Sequence, residues 1–170
     1  MIQPGRQTVA TRKIRVLMVC LGNICRSPTA HAVFDSLVEQ AGLQHAIEVD
    51  SAGTGNWHIG EAPDKRAVAH GLERGYQLES LRARQVEQGD FTLFDYILAM
   101  DRNNLKDLKA QCPGDKQHKL SLLLDHAVSE HESVPDPYYA GPEGFTLVLD
   151  LVEDACGGLI QFLKSRHELK

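Results

Sequence analysis

A thiol, a guanidinium and a hydroxyl come together in residues 20–28, which read Cys-Leu-Gly-Asn-Ile-Cys-Arg-Ser-Pro. The apolar, β-branched run 14–19 precedes this segment and predicts a buried strand. Apolar residues at helical spacing follow it, from Ala32 to Val38, and predict a helix. A tight loop between a strand end and a helix start directs backbone N–H groups into one concavity, where the helix dipole adds positive potential. We therefore expect the segment to bind a tetrahedral anion.

Cys20 and Arg26 could make this anion site catalytic. Gly22 permits the backbone conformations that such a loop needs, and the Arg26 fork matches phosphate oxygens. A thiol near a helix N-terminus and a guanidinium is favoured as its thiolate, which can attack phosphorus. We expect Ser27 to cap the helix, with Pro28 at its first position, and to donate a hydrogen bond to the departing sulfur. On residue type alone, Cys20 could equally be a small buried side chain.

Alternating strands and helices are predicted along the rest of the chain. Further strands are predicted over residues 46–50, 96–100 and 120–124, and helices from Pro63, after the capping residue Asp101, and over 144–167. The polar segments 51–60 and 126–142 are predicted loops. This order predicts an α/β fold with a parallel sheet covered on both faces and ligands bound beyond the carboxyl ends of its strands.

The composition fits one globular domain. With 170 residues, 42% of them hydrophobic and 24% charged, the chain is long enough to bury a core. The formal net charge of −5 disfavours general binding of nucleic acid or anionic membranes. No apolar run approaches the roughly 20 residues that span a bilayer. We expect the protein in the reducing cytoplasm, because the sequence shows no signal peptide and has four cysteines. We expect a flexible arm over residues 1–12 and one domain over residues 13–170.

The segment from Cys20 to Ala30 resembles the signature loop of the low-molecular-weight protein tyrosine phosphatases. The resemblance continues over residues 49–54, 98–101 with Asn104, and 134–138, in the order of the family. It covers about residues 14–165 and implies a flavodoxin-like, four-stranded parallel sheet with helices on both faces, in a single domain. It implies no metal and no cofactor, and the histidines show no spacing typical of metal ligands.

The resemblance also implies roles for the loop. Cys20 would be the nucleophile that forms a cysteinyl-phosphate, and Arg26 would hold the phosphoryl oxygens. Asn23 would keep the loop in its strained shape, and Ser27 would stabilise the thiolate. Cys25 would form a reversible disulfide with Cys20 that protects it from over-oxidation. The remaining loop residues around the phosphate would be Leu21, Gly22 and Ile24.

One position departs from the family pattern. Leu81 stands where relatives usually carry a histidine, which joins Asn23 and Ser51 in a network beneath the phosphate loop. We expect Ser51 to remain the partner of Asn23 and the loop to be less rigid.

Asp136 is the candidate general acid. A tyrosyl oxygen has a conjugate-acid pKa of about 10, so its departure at neutral pH requires a proton. Pro135 and Pro137 stiffen the backbone around Asp136. Residue types alone leave an ordinary Pro-Asp-Pro turn open; the resemblance implies that Asp136 is the acid and then the base that activates water.

Aromatic residues on two polar loops could form the rim of the cleft. Trp57 lies in one loop, and Tyr138 and Tyr139 lie in the other. Such rings would sandwich a phenyl group. Relatives that act on phosphoarginine have a threonine-like residue at the position of Ile24, so isoleucine favours phosphotyrosine.

Three functions come into question for such a site. The resemblance implies hydrolysis of phosphotyrosine in proteins, with a tyrosine kinase among the candidate partners, together with small aryl phosphates and binding of phosphate-like anions. Arsenate reduction on the same fold needs further cysteines that relay a disulfide, and Cys112 and Cys156 lie far apart in the sequence. A non-catalytic phosphopeptide-binding module would require loss of the nucleophile or the acid, and both are present.

Overall fold

The computed structural model describes residues 12–169. The strands are β1 (Ile14–Cys20), β2 (Ile47–Gly53), β3 (Tyr96–Ala99) and β4 (Leu120–Leu122). The α-helices are α1 (Arg26–Gln40), α2 (Lys65–Glu73), α3 (Gln88–Leu93), α4 (Arg102–Gln111) and α5 (Pro142–Arg166), with 3-10 turns over Gly114–Lys119 and Leu123–His126. Strands and helices alternate along most of the chain, as predicted.

The four strands form one parallel sheet in the order β2-β1-β3-β4. At the carboxyl end of β1, Cys20 pairs with Gly53 of β2, and Val19 pairs with Ala99 of β3. The chain leaves β1 on one side for β2 and returns on the other side for β3, so the strand order reverses next to β1. A crevice opens at such a switch point, and Cys20 stands at its edge. The predicted α/β, flavodoxin-like single domain is confirmed.

Side chains of β1 alternate between two apolar cores on the two faces of the sheet. Met18 faces a core with Phe34 of α1 and Leu159 of α5. Leu17 faces the other core, with Phe91 of α3 and nearby Leu108 of α4. Because β1 is buried on both faces, its position is held by both layers of helices.

Several predicted boundaries were wrong. The helix after the phosphate loop begins at Arg26 with Cys25 at its cap, because the Ser27 hydroxyl bonds to side chains of the loop instead of capping. The second strand continues through Ser51 to Gly53, where a loop was predicted. The short helix α3 was not predicted, because its six residues are too few to show a periodic pattern.

The predicted flexible arm falls mostly on residues 1–11, which lie outside the described part of the chain. Arg12 is described, and its guanidinium pairs with Asp95 at 2.8 Å. Among the helices of residues 12–169, none combines the length and apolar composition that crossing a bilayer requires.

Candidate active site

The loop between β1 and α1 rests on the end of β2. The N–H of Thr54 donates to the carbonyl of Cys20 at 2.9 Å, and that of Gly55 donates to the carbonyl of Leu21 at 2.9 Å. Gly53 makes this approach possible, because a Cβ there would lie 2.7 Å from the Leu21 carbonyl oxygen. The backbone of the loop is therefore placed by its contacts with β2 as well as by its own sequence.

Asn23 holds the loop from within. Its φ of 58° lies in the left-handed region, which asparagine tolerates better than most residues. Its side-chain amide donates to the Ser27 hydroxyl at 2.8 Å, and its Oδ1 accepts from the backbone N–H of Arg84 at 3.0 Å. The side chain is buried, so the strained backbone is supported by bonds that water does not compete for.

The sulfur of Cys20 lies at the base of the cleft, with donors directed at it. Its Sγ is 3.0 Å from the Ser27 hydroxyl oxygen and accepts from the backbone N–H of Asn23 at 3.2 Å. The start of α1, at Arg26, follows six residues later. These contacts hold the sulfur in one place at the base of the cleft.

Arg26 is buried beside the sulfur, with a side-chain exposure of 3%. Its guanidinium donates to Asp101 at 2.5 Å and to the Val134 carbonyl at 3.0 Å, and it lies 3.8 Å from the Asp136 carboxylate. Burial alone lowers the pKa of Arg26, but the negative charges of Cys20, Asp101 and Asp136 outweigh it and raise the pKa. A permanently charged fork therefore lies at the base of the cleft.

Asp136 reaches the same cleft from the loop before α5. The loop is anchored where the Val134 N–H donates to the Met100 carbonyl at 2.8 Å, at the end of β3. The Asp136 carboxylate accepts from the backbone N–H of Tyr138 at 3.0 Å and stays about half exposed. It can therefore exchange protons with solvent while remaining close to Arg26.

The cleft has a volume of about 380 Å³. Trp57 and Tyr138 are 65% and 39% exposed at its rim, and Tyr139, also in the lining, is 96% exposed. The sequence-predicted residues that line the cleft are Cys20, Leu21, Gly22, Ile24, Cys25, Arg26, Trp57, Asp136, Tyr138 and Tyr139. Asn23 and Ser27 lie beneath it.

Ser51 does not support Asn23, contrary to the sequence-based expectation. Its hydroxyl lies 2.9 Å from Nδ1 of His31 on α1. The side-chain Oδ1 of Asn23 instead accepts the backbone N–H of Arg84, so this acceptor is satisfied although Leu81 provides no donor. The lower rigidity expected from Leu81 stays a prediction. The Arg84 donor is a backbone group, which no side-chain pattern could reveal.

Known proteins resemble this chain over nearly its whole length. Residues 15–169 match the family model described as low molecular weight phosphotyrosine protein phosphatase. The chain belongs to this family. The Streptomyces coelicolor low molecular weight protein-tyrosine-phosphatase is 44% identical over 158 residues, which cover 91% of this chain and 96% of the relative.

Solved structures of family members have the same fold. The protein tyrosine phosphatase from Entamoeba histolytica, crystallised with Hepes in its active site, superposes with a TM-score of 0.88 at 42% identity and covers 91% of this chain and 99% of its own. A structure described as a Drosophila arginine phosphatase superposes with a TM-score of 0.82 at 34% identity and covers 89% and 98%.

Several residues at this phosphatase-family site were missed by the sequence analysis. Asp101 was predicted as a helix cap, which it is, since it accepts from the Asn104 N–H at 2.7 Å, but its bond to Arg26 was not foreseen. His58 lines the cleft, with its Nδ1 3.1 Å from Glu61. The neighbouring Trp57 is the only sequence signal that could have indicated His58.

The other three cysteines are buried away from the base of the cleft or in its wall. Burial, assisted by the charges of Asp64, Cys20 and Asp136, raises the pKa of Cys25 to about 12. Cys112 and Cys156 belong to the cores on opposite faces of the sheet. The sheet separates these two thiols, so they offer no path for relaying a disulfide to Cys20.

Proposed function

We propose that this protein hydrolyses phosphotyrosine in proteins, and small aryl phosphates, through a cysteinyl-phosphate on Cys20. The observation that carries the proposal is the convergence of three groups on one cleft: the hydrogen-bonded sulfur of Cys20, the buried guanidinium of Arg26 and the half-exposed carboxyl group of Asp136. They provide a nucleophile, an anion clamp and a proton donor, which are the groups that a phosphate ester needs.

In the first step, the backbone N–H groups of the loop and Arg26 would hold the phosphoryl oxygens. The Cys20 thiolate attacks phosphorus, an S–P bond forms, and the P–O bond to the phenol breaks. Asp136, protonated at this stage, gives its proton to the departing phenolate oxygen. The phenol leaves neutral.

In the second step, water attacks the phosphorus of the cysteinyl-phosphate. The Asp136 carboxylate accepts a proton from that water, and the S–P bond breaks. The electron pair returns to Cys20, where the bonds from Ser27 and the Asn23 N–H stabilise the thiolate. Inorganic phosphate leaves, and Asp136 is protonated again.

The rim favours an aryl substrate. Trp57 and Tyr138 present aromatic surface on the two sides of the cleft, and Ile24 contributes an apolar side chain to its lining. A flat ring with a phosphate at its end fits apolar walls above a cationic base. We therefore favour phosphotyrosine over phosphoarginine, which would present a second guanidinium to this surface. A tyrosine kinase carrying an exposed phosphotyrosine is one candidate substrate.

A reducing compartment such as the cytoplasm suits this chemistry. All four cysteines are free thiols, and the nucleophile must remain reduced to act.

The function is tested by turnover of an aryl phosphate and a phosphotyrosine peptide. Cys20→Ser should abolish turnover, and Asp136→Asn should lower kcat by about 10²–10³-fold while substrate binding is largely kept. Cys112→Ser and Asp107→Asn are matched controls on the helix α4 side and should retain full activity. Thiol-coupled arsenate reduction without ester hydrolysis would contradict the proposal.

Cys25 is proposed to protect the nucleophile. With its pKa raised to about 12, Cys25 remains a thiol while Cys20 reacts with peroxide, and the resulting sulfenic acid can then condense with Cys25 to a disulfide. Peroxide-treated wild type should show a Cys20–Cys25 peptide by mass spectrometry and recover activity with dithiothreitol. After the same peroxide treatment, Cys25→Ser should not recover its activity with dithiothreitol. Equal recovery of both proteins would argue against protection.

A further inference from the structure

Arg66, at the start of α2, is tied to the phosphate loop through its neighbour Asp64. The Asp64 backbone N–H donates to the carbonyl of Ile24 in the loop at 2.8 Å. The Asp64 carboxylate then accepts the Arg66 fork, with Nε at 3.0 Å from Oδ1 and an Nη at 2.9 Å from Oδ2. A two-point carboxylate pairing fixes both the position and the plane of a guanidinium.

The same guanidinium reaches the loop that carries the general acid. Its central carbon lies 5.4 Å from the ring centroid of Tyr138 and 4.8 Å from that of Phe145 on α5. The backbone N–H of Tyr138 donates to the Asp136 carboxylate at 3.0 Å. A cation over an aromatic face is an oriented contact, so the place of the Tyr138 ring is coupled to the N–H that orients Asp136.

An ion pair at the surface contributes little by itself, and Arg66 is almost half exposed. The contact with two rings is what distinguishes Arg66 from Arg74, at the other end of α2. Arg74 also forms ion pairs, with Asp150 and Glu153 at 2.9 and 2.6 Å, but within residues 12–169 the guanidinium that lies over the rings of Tyr138 and Phe145 is that of Arg66.

We propose that Arg66 is a positioning residue for the reaction: through Asp64 on one side and Tyr138 on the other, it holds the Asp136 loop at a fixed place relative to the phosphate loop. This inference rests on the proposed role of Asp136 as general acid. Without Arg66, the acid is present but less often aligned with the leaving oxygen. The fall in kcat/KM without Arg66 then depends on how strongly the leaving group requires a proton.

The test is a double-mutant cycle read on two substrates. Phenyl phosphate releases phenolate, whose conjugate acid has a pKa of about 10, so its hydrolysis depends strongly on proton donation by the general acid. The phenol released from p-nitrophenyl phosphate is more acidic, so its hydrolysis depends less on that proton. Arg66→Met should lower kcat/KM for phenyl phosphate by about tenfold, a part of the roughly 10²–10⁴-fold that a general acid provides. The loss with p-nitrophenyl phosphate should be clearly smaller. In an Asp136→Asn background, Arg66→Met should change neither value further.

Matched variants separate positioning from stability. Arg74→Met removes comparable ion pairs at the other end of the same helix, and Phe145→Leu removes the second ring beneath Arg66. Neither variant should change the ratio of kcat/KM for phenyl phosphate to kcat/KM for p-nitrophenyl phosphate. Arg66→Lys keeps the charge without the fork and should show an intermediate ratio; it also serves if Arg66→Met does not fold. Equal losses on both substrates, or a full loss that persists with Asp136→Asn, would overturn the inference. Retention of full phenyl phosphate activity by Asp136→Asn alone would instead overturn the proposed function.

Discussion

Gly53, the last residue of the supporting strand β2, lies against the backbone of the phosphate loop. A Cβ at this position would lie 2.7 Å from the Leu21 carbonyl oxygen and 3.2 Å from the backbone nitrogen of Asn23. Both atoms belong to backbone that cannot rotate away as a side chain would. The loop geometry therefore depends on the absence of one methyl group in a neighbouring strand.

Gly53→Ala should displace the loop and misalign its phosphate-binding N–H groups. We expect kcat/KM to fall by about tenfold to a hundredfold, since a displacement on the order of 1 Å can have that effect, and inhibition by inorganic phosphate to weaken in parallel. Gly89→Ala is the matched control, because no atom of residues 12–169 lies within 4 Å of its added Cβ. Unchanged phosphate inhibition in Gly53→Ala would show that the loop adapts.

At the scale of elements, the segment between α2 and α3 connects the loop to the sheet. Arg84 supplies its backbone N–H to Asn23, while its guanidinium pairs with Asp50 of β2 at 3.2 Å and with Asp90 of α3 at 3.0 Å. Asp90 is buried and also accepts the Glu87 N–H at 2.7 Å. One arginine thus links a strand, a helix and the phosphate loop.

Arg84→Met should destabilise the fold by about 2 kcal/mol, because it leaves the buried Asp90 carboxylate without its counter-charge. The backbone N–H to Asn23 remains, so kcat should change much less than stability. Urea unfolding of Arg84→Met is compared with that of Arg82→Met, because Arg82 is exposed and its guanidinium bonds to the nearby carbonyls of Glu79 and Leu81. Adding Asp90→Asn to Arg84→Met should recover part of the loss, and no recovery would contradict the charge explanation.

For the whole molecule, two histidines make stability depend on pH. Burial lowers the pKa of His31, against the opposing charges of Asp50 and Asp35, and burial likewise lowers the pKa of His126. Both therefore take up a proton more readily in the unfolded chain than in the folded protein. The contribution of these histidines to the free energy of unfolding is therefore fully present above the ordinary histidine pKa of about 6.5, and it is lost as the pH drops below that value.

The free energy of unfolding should decrease between pH 7 and pH 5, as measured by urea titration at each pH. His31→Gln and His126→Gln should each reduce the slope of this free energy against pH. His118→Gln, which changes an exposed histidine, should leave the slope as in the wild type. A wild-type slope in the double variant His31→Gln/His126→Gln would assign the pH dependence to other groups.

The sequence was sufficient wherever a short stretch of chain carries its own structural signal. The apolar run of β1 and the cap at Asp101 are each specified by neighbours within a few residues, and the structure has them in place. The residue types of the loop from Cys20 to Ser27 are likewise visible in the sequence. The α/β alternation followed from the same local patterns. A phosphate loop could therefore be located before any fold was known.

What joins these parts depends on contacts between residues far apart in the sequence. Arg26 meets Asp101 and Val134 only because β1 and β3 are neighbours in the sheet. The Arg84 N–H reaches Asn23 across 61 positions. No periodicity encodes such pairings, because they follow from strand order and from the close approach of backbones. Local patterns thus determined which groups could do chemistry, and the packing of the sheet determined which of them meet.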